Sequence, residues 1–474
     1  MTDGQPKVFG PATRSLAVGL LLTVTMIAFE ALGVATAMPV TAEDLDGVSL
    51  YGWAFSATTL ASLLGIAVAG GQTDRHGPAR PFAVGLVLFT AGLLGAGLAG
   101  SMPVLVAFRF LQGLGAGVLP PVVYASIGRS FDEAGRARMF ALLSSAWVLP
   151  GIVGPAVSGG VAEHFGWRWI FLGILPLVPV TAILALPALH RLGAPQARPA
   201  GKVADRQRAL RAVQLAVGAG VFTTGLGLHS LRGLPLLAVG LALAVPALRS
   251  LLPAGSLHAA PGLAAAVATR GLQTFAFFGA QAFLPLALTS VRGLSPLQAG
   301  LVLTAATLTW TMGAWLQERR GARLGRHVLV VNGLALVTVG IAGLALVLVP
   351  SVPVLAGAAA WTLGGLGMGM SYSGLSLLIL AKAEPGNEGV ATSSMQLSDV
   401  LGVATGTGVG GAAVAAGEAF GWNRSSGIAI AFAAAVASAL LAVTAARRID
   451  GAGVGPLGPG GGAPVEIDPA ARAG

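Results

Sequence analysis

Of 474 residues, only 10% are charged (Lys+Arg 28, Asp+Glu 18), 55% are hydrophobic and the mean hydropathy is +0.81. Soluble domains carry roughly 25% charged residues, so a water-soluble multidomain protein is excluded; the lack of cysteine likewise excludes disulfide frameworks, thiolate nucleophiles and Cys-ligated metals. The net charge of +10 raises nucleic acid as a partner, but the basic residues sit between apolar stretches without interleaved aromatics, and no nucleic-acid role is expected.

Cutting the chain at charge clusters and Gly/Pro turns predicts fourteen apolar spans, over 14–39, 51–72, 81–101, 103–128, 139–162, 167–190, 209–229, 233–253, 262–291, 295–316, 327–349, 352–380, 389–416 and 425–446. Each is near or above the ~20 residues that cross about 30 Å of hydrocarbon as a helix. The first is longer than a signal-peptide core and is expected to be retained. Connections are too short for an extramembrane catalytic domain. The 70 glycines follow no collagen period and suit helices that approach one another closely in a bilayer.

Counting Lys and Arg between spans orients the chain. With the N-terminus inside, inside segments hold about 22 of the 28, against Arg168, Arg232, Arg292 and Arg424 outside and Arg109 and Arg270 within spans. The expectation is a multi-pass protein of the cytoplasmic membrane with both termini cytoplasmic, a lipid bilayer as surroundings and a Gly/Pro-rich disordered tail over 449–474.

A repeat follows. Gly70 stands four residues before Asp74-Arg75, with Gly77 and Arg80 beyond; Ala314 stands four before Glu318-Arg319, with Gly321 and Arg323 beyond. Two such loops, each after a span in corresponding positions, point to a duplicated six-helix unit.

These residues carry a family resemblance. The Gly70 to Arg80 loop resembles the signature of the major facilitator superfamily, and Arg109-x-x-Gln112-Gly113 in the fourth span is similar to its intramembrane arginine element. Gly154-Pro155-x-x-Gly159-Gly160 resembles the antiporter element of that family, departing from it at Ser158 and Pro150. Trp167-Arg168-Trp169 and the two extra spans resemble the fourteen-helix branch of drug/proton antiporters. The resemblance implies an all-α integral membrane protein with the major facilitator fold, two six-helix bundles related by pseudo-two-fold symmetry plus two linker helices. The expected division is 1–190, 191–258, 259–448 and 449–474.

Four ionisable residues fall inside spans. By the rise of 1.5 Å per residue, Glu30 lies ~13 Å and Asp399 ~15 Å deep, Arg109 ~9 Å and Arg270 ~12 Å from an end. An acid at such depth costs ~2.5–3.5 kcal/mol on insertion scales, so it marks function by default. Glu30 and Asp399 are the candidate proton carriers, expected to face one cavity from opposite halves, and either arginine suits as a salt partner; the family resemblance adds a proton-coupling role for Arg109. Asp74, Arg75, Gly77, Arg80 and Gly70 read as a gate, with the helix N-terminus near 386–389 as partner for Asp74. Gly151, Gly154, Pro155, Gly159 and Gly160 give a kinked, flat face expected to pack on the other half and seal it. Gln112, Phe275, Phe278, Gln281, Trp310, Trp361 and Tyr372 are candidates to line a cavity for apolar or cationic ligands.

The residues therefore favour proton-driven export of amphipathic compounds, with small-molecule substrate and protons as partners, a functional monomer, and no cofactor or metal. Export of an endogenous lipid or metabolite, or proton symport, uses the same scaffold. An enzyme is disfavoured because the six histidines are scattered near loops, and a channel because no filter motif is present.

Overall fold

The computed structural model describes residues 8–11, 13–47, 50–194, 202–227, 233–294, 296–422 and 424–450. They are helical, with no strand among them. In the first half lie α1 (Arg14–Asp44), α2 (Tyr51–His76), α3 (Ala79–Gly97), α4 (Met102–Ser130), α5 (Glu133–Ser145), α6 (Val148–Phe165), α7 (Arg168–Leu172) and α8 (Leu177–Leu192). A hairpin of α9 (Lys202–Gly227) and α10 (Leu234–Leu251) follows. The second half holds α11 (Leu263–Leu286), α12 (Pro296–Leu324), α13 (Arg326–Leu344), α14 (Val354–Lys382), α15 (Glu388–Ala419) and α16 (Arg424–Ala446). Most of the disordered-tail expectation, 451–474, lies outside the described residues.

Packing repeats between halves. In the first, α2 and α3 pack on α4, while α1 packs on α6 and α8. In the second, α12 and α13 pack on α14, while α11 packs on α15 and α16. This is the duplicated unit that the paired loops at Asp74 and Glu318 predict, and it is the major facilitator fold.

Twelve helical segments among the described residues are long and apolar enough to span a membrane. The expected spans over 139–162 and 209–229 are not among them. The first is divided at Ala146 and Trp147 into α5 and α6, of 13 and 18 residues. The second opens on Lys202, Asp205, Arg206, Arg208 and Arg211, which dilute the apolar part of α9.

Glycine sets the helix spacing. In α15, a Cβ on Gly402 would collide with α11 at the Thr274 hydroxyl and the Gly271 carbonyl, one on Gly406 at the Phe275 carbonyl, and one on Gly410 with the Phe283 ring. In α14, a Cβ on Gly369 would overlap the Trp310 carbonyl of α12, and one on Gly365 the Ala306 carbonyl. Backbones this close gain dispersion contacts that the hydrophobic effect does not supply within lipid.

Gly369→Ala is therefore expected to overpack the α12–α14 crossing, costing about 1–3 kcal/mol and lowering the thermal midpoint in detergent. Gly159→Ala, where a Cβ meets nothing within 4 Å, is the paired control and should leave the midpoint unchanged or raise it.

Candidate functional site

Each half is organised around one buried arginine. On α4, the Arg109 Nη1 donates to the Glu30 carboxylate of α1 and to Gln112 Oε1 at 2.7 Å, while its Nε donates to the Ala54 carbonyl of α2 at 3.2 Å. Glu30 is 3% exposed and Arg109 4%. One guanidinium thus ties α1, α2 and α4 together. Thr58 of α2 returns a hydrogen bond to the Arg109 carbonyl, and Gly113 allows the approach because a Cβ there would strike Thr58.

On α11, Arg270 donates to both oxygens of Asp399 on α15, from Nε at 2.5 Å and Nη2 at 3.2 Å. Its Nη1 donates to the Tyr372 carbonyl of α14 at 2.6 Å and to Ser376 Oγ at 3.3 Å, and its guanidinium lies over the Tyr372 ring. The Tyr372 hydroxyl donates to Asp399 Oδ2 at 3.2 Å. Arg270 is fully buried and Asp399 8% exposed. A charge this deep is sustained only by pairing plus additional hydrogen bonds, and removing one partner costs about 3–5 kcal/mol. The structure resolves the salt partners left open by sequence: Glu30 takes Arg109 and Asp399 takes Arg270. The two acids do not pair with each other, because each is neutralised within its own half.

Asp74 meets the helix N-terminus expected as its partner. Asp74, at the last turn of α2, accepts from the backbone N–H of Gly389 at 2.7 Å and of Val390 at 2.8 Å, at the start of α15. These are two of the donors that a helix N-terminus leaves without internal partners. Gly70 and Gly389 permit the crossing: a Cβ on Gly389 would lie 2.5 Å from the Gly70 carbonyl and 2.7 Å from Asp74 Oδ1. Gly77 turns the chain at φ +76° with its Cα against the Gly193 carbonyl, a position closed to other residues. Arg75 is half-buried and Arg80 exposed. Arg208 of α9 stands close enough to Asp74 for their charges to attract.

The second repeat does not copy this device. The N-terminus of α5 is capped by Asp132 of its own chain segment, which accepts from Gly135 N at 2.8 Å. There the halves are joined instead by the Arg326–Glu133 ion pair at 3.1 Å and by Trp315 Nε1 donating to Ser145 Oγ at 3.0 Å. Thr392 of α15 also donates to the Pro121 carbonyl of α4 at 3.1 Å. The Asp74 and Arg326–Glu133 contacts lie at the arginine-rich end of the bundle, and Trp315–Ser145 lies about 18 Å along α5 from it.

At the opposite end, α6 does not form the expected seal. A Cβ on Gly159 or Gly160 meets nothing within 4 Å, Gly154 faces Leu32 of α1, and Gly151 reaches Thr307 of α12 only at ordinary contact distance, 3.8 Å. The side chain of Pro155 lies outside the described residues. Ser158, where the antiporter element has glycine, sits against Gly33 of α1. In this conformation Gly154 and Ser158 meet α1 of their own half, and α6 keeps only a light contact with α12.

The candidate cavity residues separate. Phe278, Trp310 and Tyr372 are half-buried in an aromatic group around Phe277, which stacks on Trp361 at 4.5 Å and meets Trp310 edge-on at 5.4 Å. Trp361 is fully buried and serves as core. Gln112 is occupied by Arg109, Phe275 lies under the α15 glycines, and Gln281 is half-buried on α11 one turn past Phe277. Sequence reasoning missed Gln273, which donates to Ser371 Oγ at 2.6 Å. Its signal is the Arg270-x-x-Gln273 spacing, the same as Arg109-x-x-Gln112.

Two matching six-helix groups, each built on a buried acid–arginine pair, define a two-halved secondary transporter. The chain belongs to the Major Facilitator Superfamily, whose family model matches residues 18–407. It is a multi-pass membrane transporter and not an enzyme. It is 25% identical over 403 residues to the multidrug efflux pump SdrM of Staphylococcus aureus, covering 83% of this chain and 88% of that one. To the methylenomycin A resistance protein of Streptomyces coelicolor it is 29% identical over 360 residues, 73% of this chain and 74% of the relative. Against the multidrug transporter MdtP of Bacillus subtilis it is 30% identical over 175 residues, covering 37% of this chain and spanning about a third, 32%, of the relative's length. Among solved structures, the human organic anion transporter MFSD10 superposes with a TM-score of 0.69 at 14% identity, over 92% of this chain and 99% of that one, a likeness of fold.

Asp74→Ala is expected to remove the cap of α15, a loss of about 0.5–2 kcal/mol, and to raise the labelling rate of a cysteine placed at Ser393. Asp74→Asn, which still offers one acceptor oxygen, should show a smaller rise. Unchanged labelling in both variants would dismiss the cap as a gate.

Proposed function

We propose that the protein is a proton-coupled antiporter that exports amphipathic or cationic compounds across the cytoplasmic membrane by alternating access. The observation that carries this reading is the pair of buried acid–arginine sites, one in each half. An acid that must trade its arginine for a proton is a two-state element, and its state affects the packing of three helices at once. The arginine-rich end is read as cytoplasmic, following the Lys/Arg bias. The conformation is then outward-facing, with the halves joined at the cytoplasmic end and α6 loosely packed at the other.

On this reading, 1–190 and 259–448 are the moving halves and 191–258 the linker, with α9 and the broken α5–α6 also crossing the membrane and both termini cytoplasmic. The half-buried Phe278, Trp310 and Tyr372 offer apolar and cation–π surface to substrate. The multidrug and antibiotic-resistance roles printed in the names of the relatives favour foreign compounds over metabolites. One inward proton at ~100 mV contributes ~2.3 kcal/mol and a pH unit ~1.4, enough together for roughly a 500-fold gradient of a neutral substrate.

Accumulation of a fluorescent cation by inside-out vesicles should therefore depend on an imposed pH gradient and collapse with an uncoupler. Glu30→Gln is expected to reduce gradient-driven accumulation at least about tenfold, the weight of one lost proton coupling site, while leaving substrate exchange without a gradient. Full gradient coupling in Glu30→Gln would remove Glu30 as carrier.

A further inference from the structure

The α9–α10 hairpin lies across the seam between the halves. Its two helices form one body: a Cβ on Gly218 would lie 2.8 Å from the Ala244 nitrogen, and one on Gly240 2.7 Å from the Phe222 nitrogen, so the backbones touch. α9 runs along α2 of the first half and also reaches α15 of the second. Ile66 and Ala67 of α2, Leu215 of α9, Leu251 of α10 and Leu397 of α15 share one buried cluster, each at most 2% exposed. Ala67 stands three residues before Gly70, and Ser394 five after Gly389. The hairpin therefore covers the same crossing that Asp74 caps.

The end of α10 is held from two sides. The Leu251 carbonyl is one of those that a helix C-terminus leaves without an internal partner. It accepts from Arg208 Nη2 of α9 at 3.4 Å and from the Ser394 hydroxyl of α15 at 3.3 Å, the serine sharing its proton with the Val390 carbonyl of its own helix at 2.9 Å. Just beyond, the chain is fastened to the second half. Leu252 packs on the apolar cluster of α11 and α14 as well as on this one. The Gly262 N–H donates to the Arg448 carbonyl at 3.2 Å, and Arg448 Nη1 donates to the His258 carbonyl at 3.2 Å.

From this geometry we infer that the hairpin is a strap: its long face lies on α2, its α10 end is fixed to α15 and to the entry of α11, and it holds the arginine-rich end closed. Parting the halves there must draw Leu251 away from Ser394, or Leu397 away from Leu215 and Ile66. Inside lipid such a loss is one of close packing and hydrogen bonding, since burial from water supplies nothing there. The strap thus sets how much of the protein has its inner end closed. This rests on the alternating-access reading above and gives the linker helices a part in it.

The protein has no cysteine, so spin labels can be attached to the full chain in pairs that bridge the halves. Ala134→Cys on α5 with Ala322→Cys on α12 reports the arginine-rich end, and Leu98→Cys after α3 with Leu355→Cys on α14 reports the opposite end; all four positions are exposed. Distances are measured in lipid nanodiscs with and without tetraphenylphosphonium, in alkaline and acidic buffer, beside the thermal midpoint of each variant. The parent is expected to exchange between two distances at each end. Ser394→Ala, which removes a single oxygen, should raise the fraction open at the arginine-rich end about two- to fivefold, a shared hydrogen bond being weaker than a full one. Leu397→Ala and Leu215→Ala should each raise it at least about tenfold, with the opposite end closing in step, and their combination should fall short of additive because they meet in one cluster. Leu241→Ala, on the exposed face of α10, is the control and should leave the populations unchanged. Parent-like populations in Ser394→Ala and Leu397→Ala, even with a lowered thermal midpoint, overturn the strap alone and leave alternating access standing. So does a Leu241→Ala effect as large as theirs. Distances that stay fixed in the parent under every condition overturn alternating access, and the strap with it.

Discussion

Nothing inside the hydrocarbon can be placed until its charges are paired. Arg270 is fully buried and Arg109 nearly so, and each would be intolerable alone. Each instead gathers acceptors from several helices: Glu30, the Ala54 carbonyl and Gln112 for Arg109; Asp399, the Tyr372 carbonyl and Ser376 for Arg270. A guanidinium with five donors in a fixed plane can do this where an ammonium cannot. The helices that converge on each arginine are those that build the interior of its half.

On the proposed antiport reading, that arrangement gives a local proton event a distant effect. A carboxylate shared among helices is a mechanical joint. Neutralising it leaves a buried arginine seeking other acceptors, and the helices it held must adjust together. Glycine-mediated crossings such as Gly369 on Trp310 and Gly406 on Phe275 keep backbones in contact, which on the same reading leaves motion to the seam between halves.

The seam is asymmetric despite the repeat. At one crossing, α15 borrows its N-terminal cap from α2 through Asp74. At the equivalent crossing, α5 is capped by its own Asp132, and the halves hold each other through Arg326–Glu133 and Trp315–Ser145. A borrowed cap is lost when the halves part, whereas an internal cap persists. On the proposed alternating-access reading, opening at the α2–α15 crossing leaves the first N–H groups of α15 without that acceptor.

The amino-acid sequence determined the solvent, twelve of the fourteen expected spans and the class: scarcity of charge requires lipid, and the paired acid–arginine loops disclose the duplication. It also located Asp74 and its partner helix, because a carboxylate four residues after a glycine at a helix end has a local meaning. What it left undecided were relations between helices far apart in the chain. Which arginine meets which acid, that Trp361 is core while Tyr372 reaches the Asp399 site, and that Gly154 and Ser158 meet α1 were all decided by tertiary structure. The reason is geometric: depth in the membrane follows from counting residues at 1.5 Å each, but the direction in which a side chain points around its helix, and the neighbour it meets there, depends on how every other helix is packed.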